Sequence, residues 1–314
     1  MPVNIAELNR QFAIPGIAEV ITGSGGLAAV RITAPDAKGT LYLHGGHVTS
    51  WTPAGNDDVL WISGKSIWQP DKPIRGGVPI CFPWFGARRN DPASPAHGFA
   101  RLRTWELESI EQKAGAVTVT VFLTSDPDIQ KTWPHDFLLR HKVTFGKELI
   151  MSLEFKNTAP QNRTRSVSEG LQDQSVKFEE AQHTYFAVGD VRQVKVKGLA
   201  GARYLDKTDN LKQKEQTGDL AITAETDRPF FDTAAPIILE DPSKSRKITL
   251  TKEGSRSTVV WNPWIAKARA MADFGDDEWP RMLCIETCNV GVDAVKVAPG
   301  QTQLMASYLR VDPL

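Results

Sequence analysis

The sequence has 314 residues, 41% of them hydrophobic, enough to bury a sizeable core. Its 37 Lys and Arg balance 37 Asp and Glu, so it lacks the basic excess of a nucleic-acid binder. It offers no apolar run of about 18 residues to span a membrane, and its three cysteines (Cys81, Cys284, Cys288) suit a reducing compartment rather than a disulfide framework. The opening MPVNIAELNRQFAI places polar residues where a secretory signal needs an apolar stretch, so the expected location is the cytoplasm.

Along the chain, Ile5, Leu8 and Phe12 recur at helical spacing and predict a short helix over residues 5–12. Residues 23–28 spell GSGGLA, formally a dinucleotide-binding string. Such a site needs a helix next, whereas residues 29–33 (AVRIT) read as a strand, so a hairpin turn is predicted. His44 and His47 flank two glycines with no acidic residue at a metal-binding interval, which points to a structural pair. The stretch 68–84 is rich in proline, aromatic and aliphatic residues and reads as a packed loop. Residues 116–123 alternate Val117, Val119 and Val121 with Thr118 and Thr120, the period-two signature of a strand. Residues 149–155, 192–196, 247–250, 294–297 and 303–311 read similarly, while 265–271 suggest a local helix. The basic clusters at 163–165 and 244–247 read as solvated turns. Many short strands divided by Gly, Pro, Asn and Asp predict a mainly β sandwich or barrel in one domain, residues 1–314.

Four segments place ionisable groups where they are costly without a purpose. Arg75 stands in the proline-stiffened run KPIRGGVPICFPWFG, where it either pairs with a core carboxylate or clamps an anion. The two glycines after it would let backbone approach a ligand. His97 and Arg101 lie four apart in AHGFAR; with Arg75 they form a set suited to a sugar phosphate, because the guanidinium fork matches phosphate oxygens. His183, in QHTYFAV, shares a face with Tyr185 if that segment is a strand. Glu286, in MLCIETCN, would share a strand face with Cys284 and Cys288; desolvation there would raise its pKa toward neutrality, where a general base works best. Cys284 and Cys288 lack the further Cys or His that zinc requires, and neither a G-x-S-x-G elbow nor a cysteine-nucleophile signature occurs.

The ordered strings PIRGGVPICFPWFG (73–86), HGFAR (97–101), HTYF (183–186), YLD (204–206), ETDR (225–228), VWNPW (260–264) and IE (285–286) resemble the aldose 1-epimerase superfamily, specifically its hexose-6-phosphate mutarotase branch. The resemblance runs from about residue 41 to residue 310. It implies a large antiparallel β-sandwich of the galactose mutarotase type with a few short helices, using neither metal nor coenzyme. It also implies that His183 acts as acid and Glu286 as base, while Arg75, His97, Arg101 and Asp227 bind substrate. The chain departs from related sequences at Ala96 and at Phe230-Phe231, positions expected to bear on the sugar contacts. The function so implied is interconversion of the α and β anomers of a hexose 6-phosphate, glucose 6-phosphate foremost. The expected partner is a small sugar phosphate, with no nucleic acid or membrane, and the expected state is a monomer. A non-catalytic carbohydrate-binding sandwich, a mutarotase of free aldoses and a glycoside-processing enzyme stand as rivals. The last would call for two carboxylates flanking the bond, where this sequence offers a glutamate and a histidine.

Overall fold

The computed structural model describes residues 3–88, 91–160 and 174–314, so the basic cluster at 163–165 lies outside the described residues. Alternating apolar positions build two large antiparallel sheets. One has nine strands, in the order Leu220–Ala221, Lys195–Lys197, Ile237–Asp241, Arg246–Glu253, Thr302–Pro313, Glu148–Asn157, Phe137–Phe145, Ala116–Thr124 and Glu106–Lys113. The other has eight. Its path runs Lys212–Glu215, Arg203–Asp206, Thr226–Phe231, Ser257–Asn262, Met282–Asn289, Glu180–Gln182 and Ile80–Cys81, and Tyr185–Ala187 also pairs with Met282–Asn289. A four-stranded sheet spanning Ala18–Thr22 to His47–Pro53 packs on one end of the nine-stranded sheet, where Trp51 Nε1 donates to the Gly146 carbonyl at 3.1 Å.

The hydrophobic core lies between the large sheets and is contiguous with the four-stranded one. In Ala116–Thr124, Val117, Val119 and Val121 are all buried, as the alternation predicts. Polar links also cross the interior: Ser307 Oγ donates to Gln182 Oε1 at 2.6 Å, and Gln182 Nε2 to the Met151 carbonyl at 3.0 Å. The architecture is therefore the antiparallel β-sandwich expected.

The predicted helix at the start is Ile5–Phe12, capped by the Asn4 side chain on the Glu7 amide at 3.1 Å. The GSGGLA string turns between the antiparallel strands Ala18–Thr22 and Ala28–Thr33, as the hairpin reading requires. Two local readings need correction. Residues 191–193 form a turn, so that strand begins only at Lys195. Within the cluster at 244–247, Arg246 is buried: Nη2 donates to the Ala187 carbonyl at 2.6 Å and Nε lies 4.0 Å from Asp241. Pairing with a carboxylate and a carbonyl offsets the cost of burying a charge that composition alone assigns to solvent.

Candidate active site

The eight-stranded sheet supplies the floor of the site. All eight residues of Met282–Asn289 are buried. Register places Glu286 opposite Val259 and Cys284 opposite Trp261, while Trp261 is opposite Asp227. Cross-strand partners share a face, so Asp227, Trp261 and Glu286 stand on one side of the sheet.

His183 does not lie within a strand. It occupies the gap between Glu180–Gln182 and Tyr185–Ala187, with its amide donating to the Pro79 carbonyl at 3.0 Å. Its ring still lies flat against Tyr185, with centroids 4.8 Å apart and planes at 14°. This gap lets His183 Nε2 come within 3.2 Å of Glu286 Oε1. The contact lacks the alignment of a hydrogen bond, and neither Glu286 oxygen has another partner among the described residues. His183 Nδ1 likewise finds none beyond its own backbone. Buried polar atoms are normally satisfied, so orphaned acceptors meeting at one point mark a place built for something outside the fold.

Burial pushes both groups toward their neutral forms. Desolvation raises the Glu286 carboxyl well above 4.5, with Lys207 the foremost cation opposing that rise. Desolvation lowers His183 well below 6.5, and Arg101 and Arg75 lower it further. Burial thus disfavours the charged form of each group, and among the described residues each is left without a fixed hydrogen-bond partner that would restore it.

The cations differ in how they are paired. Arg75 is already engaged: Nε and Nη2 grip the Asp273 carboxylate at 3.1 and 3.2 Å, and Nη1 donates to the Tyr185 hydroxyl at 2.9 Å. Gly76 and Gly77 adopt φ of +112° and +61°, and a Cβ on them would lie 2.3 Å from the Trp61 and Val48 carbonyl oxygens respectively. Their close approach is thus to the protein's own backbone rather than to a ligand. His47 Nε2 bonds the Gly76 carbonyl at 2.7 Å and His44 Nε2 the Lys72 carbonyl at 2.8 Å, so both histidines hold this loop. Arg101 is buried too. Its Nη2 donates to the Ala96 carbonyl at 2.8 Å, its Nε is orphaned, and no carboxylate pairs with it among the described residues. His97 adopts a left-handed φ of 62° and meets the Phe85 ring edge-on at 4.7 Å and the His183 ring at 5.6 Å.

The structure thus brings His183, Glu286, Tyr185 and His97 into one cluster, to which Arg75 and Arg101 couple electrostatically. Asp227 stands at its edge, where its carboxylate takes Lys207 at 3.2 Å and Lys267 at 4.0 Å. Of the departures from related sequences, Ala96 contributes its carbonyl to Arg101. Phe230 packs in the core against Tyr204, three residues from Asp227 along the strand and so on the opposite face. Lys207 and Asp273 were not legible in the sequence. Lys207 directly follows the YLD string, and Asp273 sits in the acidic run MADFGDDE, where nothing in the spacing singles it out.

The fold is shared with solved mutarotase-like sandwiches. The chain superposes with a TM-score of 0.86 on a crystal structure from Salmonella typhimurium provisionally described as a mutarotase, at 28% identity over 96% of each chain. The aldose 1-epimerase family profile matches residues 29–304. The chain belongs to the aldose 1-epimerase family. Two curated relatives carry the provisional name glucose-6-phosphate 1-epimerase. One, from Cenchrus ciliaris, is 35% identical over 90% of this chain and 84% of its own length. The other, from Escherichia coli K12, is 34% identical over 91% and 90%.

Proposed function

We infer that this enzyme interconverts the α and β anomers of a hexose 6-phosphate, glucose 6-phosphate foremost. The observation that carries the reading is the His183–Glu286 contact at 3.2 Å, with both carboxylate oxygens otherwise unpartnered among the described residues. Mutarotation removes a proton from the C1 hydroxyl and delivers one to the ring oxygen. The C1–O5 bond breaks to give the aldehyde, C1 turns, and closure from the other face gives the second anomer. In the working form of the pair the imidazole of His183 carries the proton and Glu286 is the carboxylate. Glu286 then takes the hydroxyl proton and His183 protonates the ring oxygen. Each group ends in the other's protonation state, so closure runs the same transfers backwards without net exchange with solvent. General acid–base groups of this kind typically contribute ~10²–10⁴-fold each.

The phosphate reading rests on the cations and on the names of the curated relatives. Arg101, buried without a carboxylate, is the best-placed receiver for the 6-phosphate, with Arg75 and His97 beside it and Asp227 accepting a sugar hydroxyl. Anomer exchange of glucose 6-phosphate, followed by NMR saturation transfer with and without the protein, tests the activity. Acceleration is expected, and its absence would overturn the reading. A charge-assisted contact worth ~1.5–3 kcal/mol makes Arg101→Met lose roughly 10- to 150-fold in kcat/KM on glucose 6-phosphate. A loss of equal size on free glucose would make Arg101 a structural residue and overturn the sugar-phosphate reading.

A further inference from the structure

Lys207 belongs to none of the roles above, yet it faces the same site. Its amide donates to the Asp227 carbonyl at 3.1 Å, which fixes where the side chain starts. Its ammonium lies 3.2 Å from Asp227 Oδ1 and 5.1 Å from the centroid of the Phe85 ring. That ring meets His97 edge-on at 4.7 Å and lies roughly parallel to His183 at 6.5 Å. The Phe85 amide is in turn pinned by Glu179 Oε2 at 2.8 Å, so the platform under the ammonium is fixed. The lysine side chain is 33% exposed, so incoming solute can reach it.

Two features suit this lysine to a ligand rather than to a static ion pair. Asp227 has a second cation, Lys267 at 4.0 Å, which also bonds Glu225 at 3.0 Å. Asp227 would therefore keep a counter-charge if Lys207 turned away. A cation over an aromatic face is held by the ring quadrupole without directional bonds, and a lysine keeps three rotatable donors on a flexible stem. Arg101, by contrast, is buried and held by the Ala96 carbonyl, so its charge is fixed in place.

We propose that Lys207 is a further substrate-binding residue: its ammonium swings from Asp227 to the anionic group of the sugar, closing on it opposite Arg101. The substrate class it selects is a sugar carrying a phosphate. This inference rests on the sugar-phosphate reading above and extends it to a residue at the exposed edge of the site.

The experiment compares wild type, Lys207→Met and Lys207→Arg on glucose 6-phosphate and on glucose, together with calorimetric binding of inorganic sulfate to each protein. One charge-assisted contact predicts that Lys207→Met loses ~10-fold or more in kcat/KM on glucose 6-phosphate beyond its loss on glucose. Sulfate affinity should fall by a similar factor, and Lys207→Arg should recover most of both. Equal losses on the two sugars, or unchanged sulfate affinity in a folded Lys207→Met protein, would overturn the proposal. If wild type turns over neither sugar, the functional reading fails, and sulfate binding alone then decides Lys207: binding that depends on the lysine upholds the anion contact. Sulfate binding that is absent from wild type, or indifferent to the lysine, refutes it.

Discussion

Glu180 and Glu286 stand on neighbouring antiparallel strands of the same sheet, both sealed from water, and desolvation raises the pKa of both. Their surroundings differ in the hydrogen-bond donors they offer. Glu180 pairs in register with Asn289, on the face opposite Glu286, and its Oε1 accepts from Asn289 Nδ2 at 2.8 Å. Its carboxyl is pushed up to about 7. Glu286 has no such donor, only an imidazole in misaligned contact. Burial makes a carboxyl reluctant to ionise in either place. Where the fold also supplies a donor, the group is a structural element; where it leaves both oxygens open, the group is available to a substrate.

The comparison is tested most severely by removing the open carboxyl. Glu286→Gln and His183→Ala should each lose ~10²–10⁴-fold in anomer exchange, and the double variant should be little worse than either, as the proposed proton transfer by one unit requires. Glu180→Gln should retain most activity. Near wild-type exchange by purified Glu286→Gln would erase the distinction between the two glutamates.

A second test uses pH. The proposed mechanism needs one proton on the pair, so kcat/KM should describe a bell. The acid limb marks a second proton arriving on His183, and it should fall below the ordinary 6.5 because burial and the nearby arginines lower that group. The alkaline limb marks loss of the last proton from Glu286 and should stand well above 4.5. An acid limb at or above 6.5, or no limb on either side over the range in which the protein stays folded, would remove these groups from the proton transfer.

The smallest effect sharpens the structural side. Glu180 holds its proton more tightly in the folded chain than in the unfolded one, so its contribution to stability is complete below 4.5 and is lost as pH rises through about 7. Glu180→Gln should therefore melt several degrees higher than wild type at pH 8, on the order of 3 kcal/mol, with the gap closing near pH 4.5. A melting difference that does not change with pH would mean that Glu180 carries no buried charge.

Much of this was legible where one periodicity ruled. The valines of Ala116–Thr124 and the spacing of Ile5, Leu8 and Phe12 located their elements because each set turns one face of one element to the core, the valines fully buried and the helix residues partly so. Glu286 stood out because a carboxylate in MLCIETCN is costly without a reason. Pairings between distant loops were not legible: the Arg75–Asp273 bridge joins residues 198 positions apart, and Lys207 looks like an ordinary turn lysine until Phe85 is placed beneath it. His183 was expected on a strand, and only the structure shows that the chain leaves strand geometry there to reach Glu286. Arg246 misled because a cluster of basic residues conceals which of them turns inward.

The central position of Met282–Asn289 in its sheet, between Ser257–Asn262 and Glu180–Gln182, has a consequence for biosynthesis. Chains emerge N-terminus first, and domains generally fold as units. The cationic loops, His183 and Lys207 leave the ribosome well before this strand. Until it arrives, the neighbouring strands present open edges, a template for pairing with other chains. Its insertion requires contacts far apart in sequence, which are slow to form. The same late step closes the sheet and delivers Glu286 to His183. A ribosome stalled before residue 282 would therefore leave a product that lacks Glu286, the base of the proposed mechanism, and presents open strand edges.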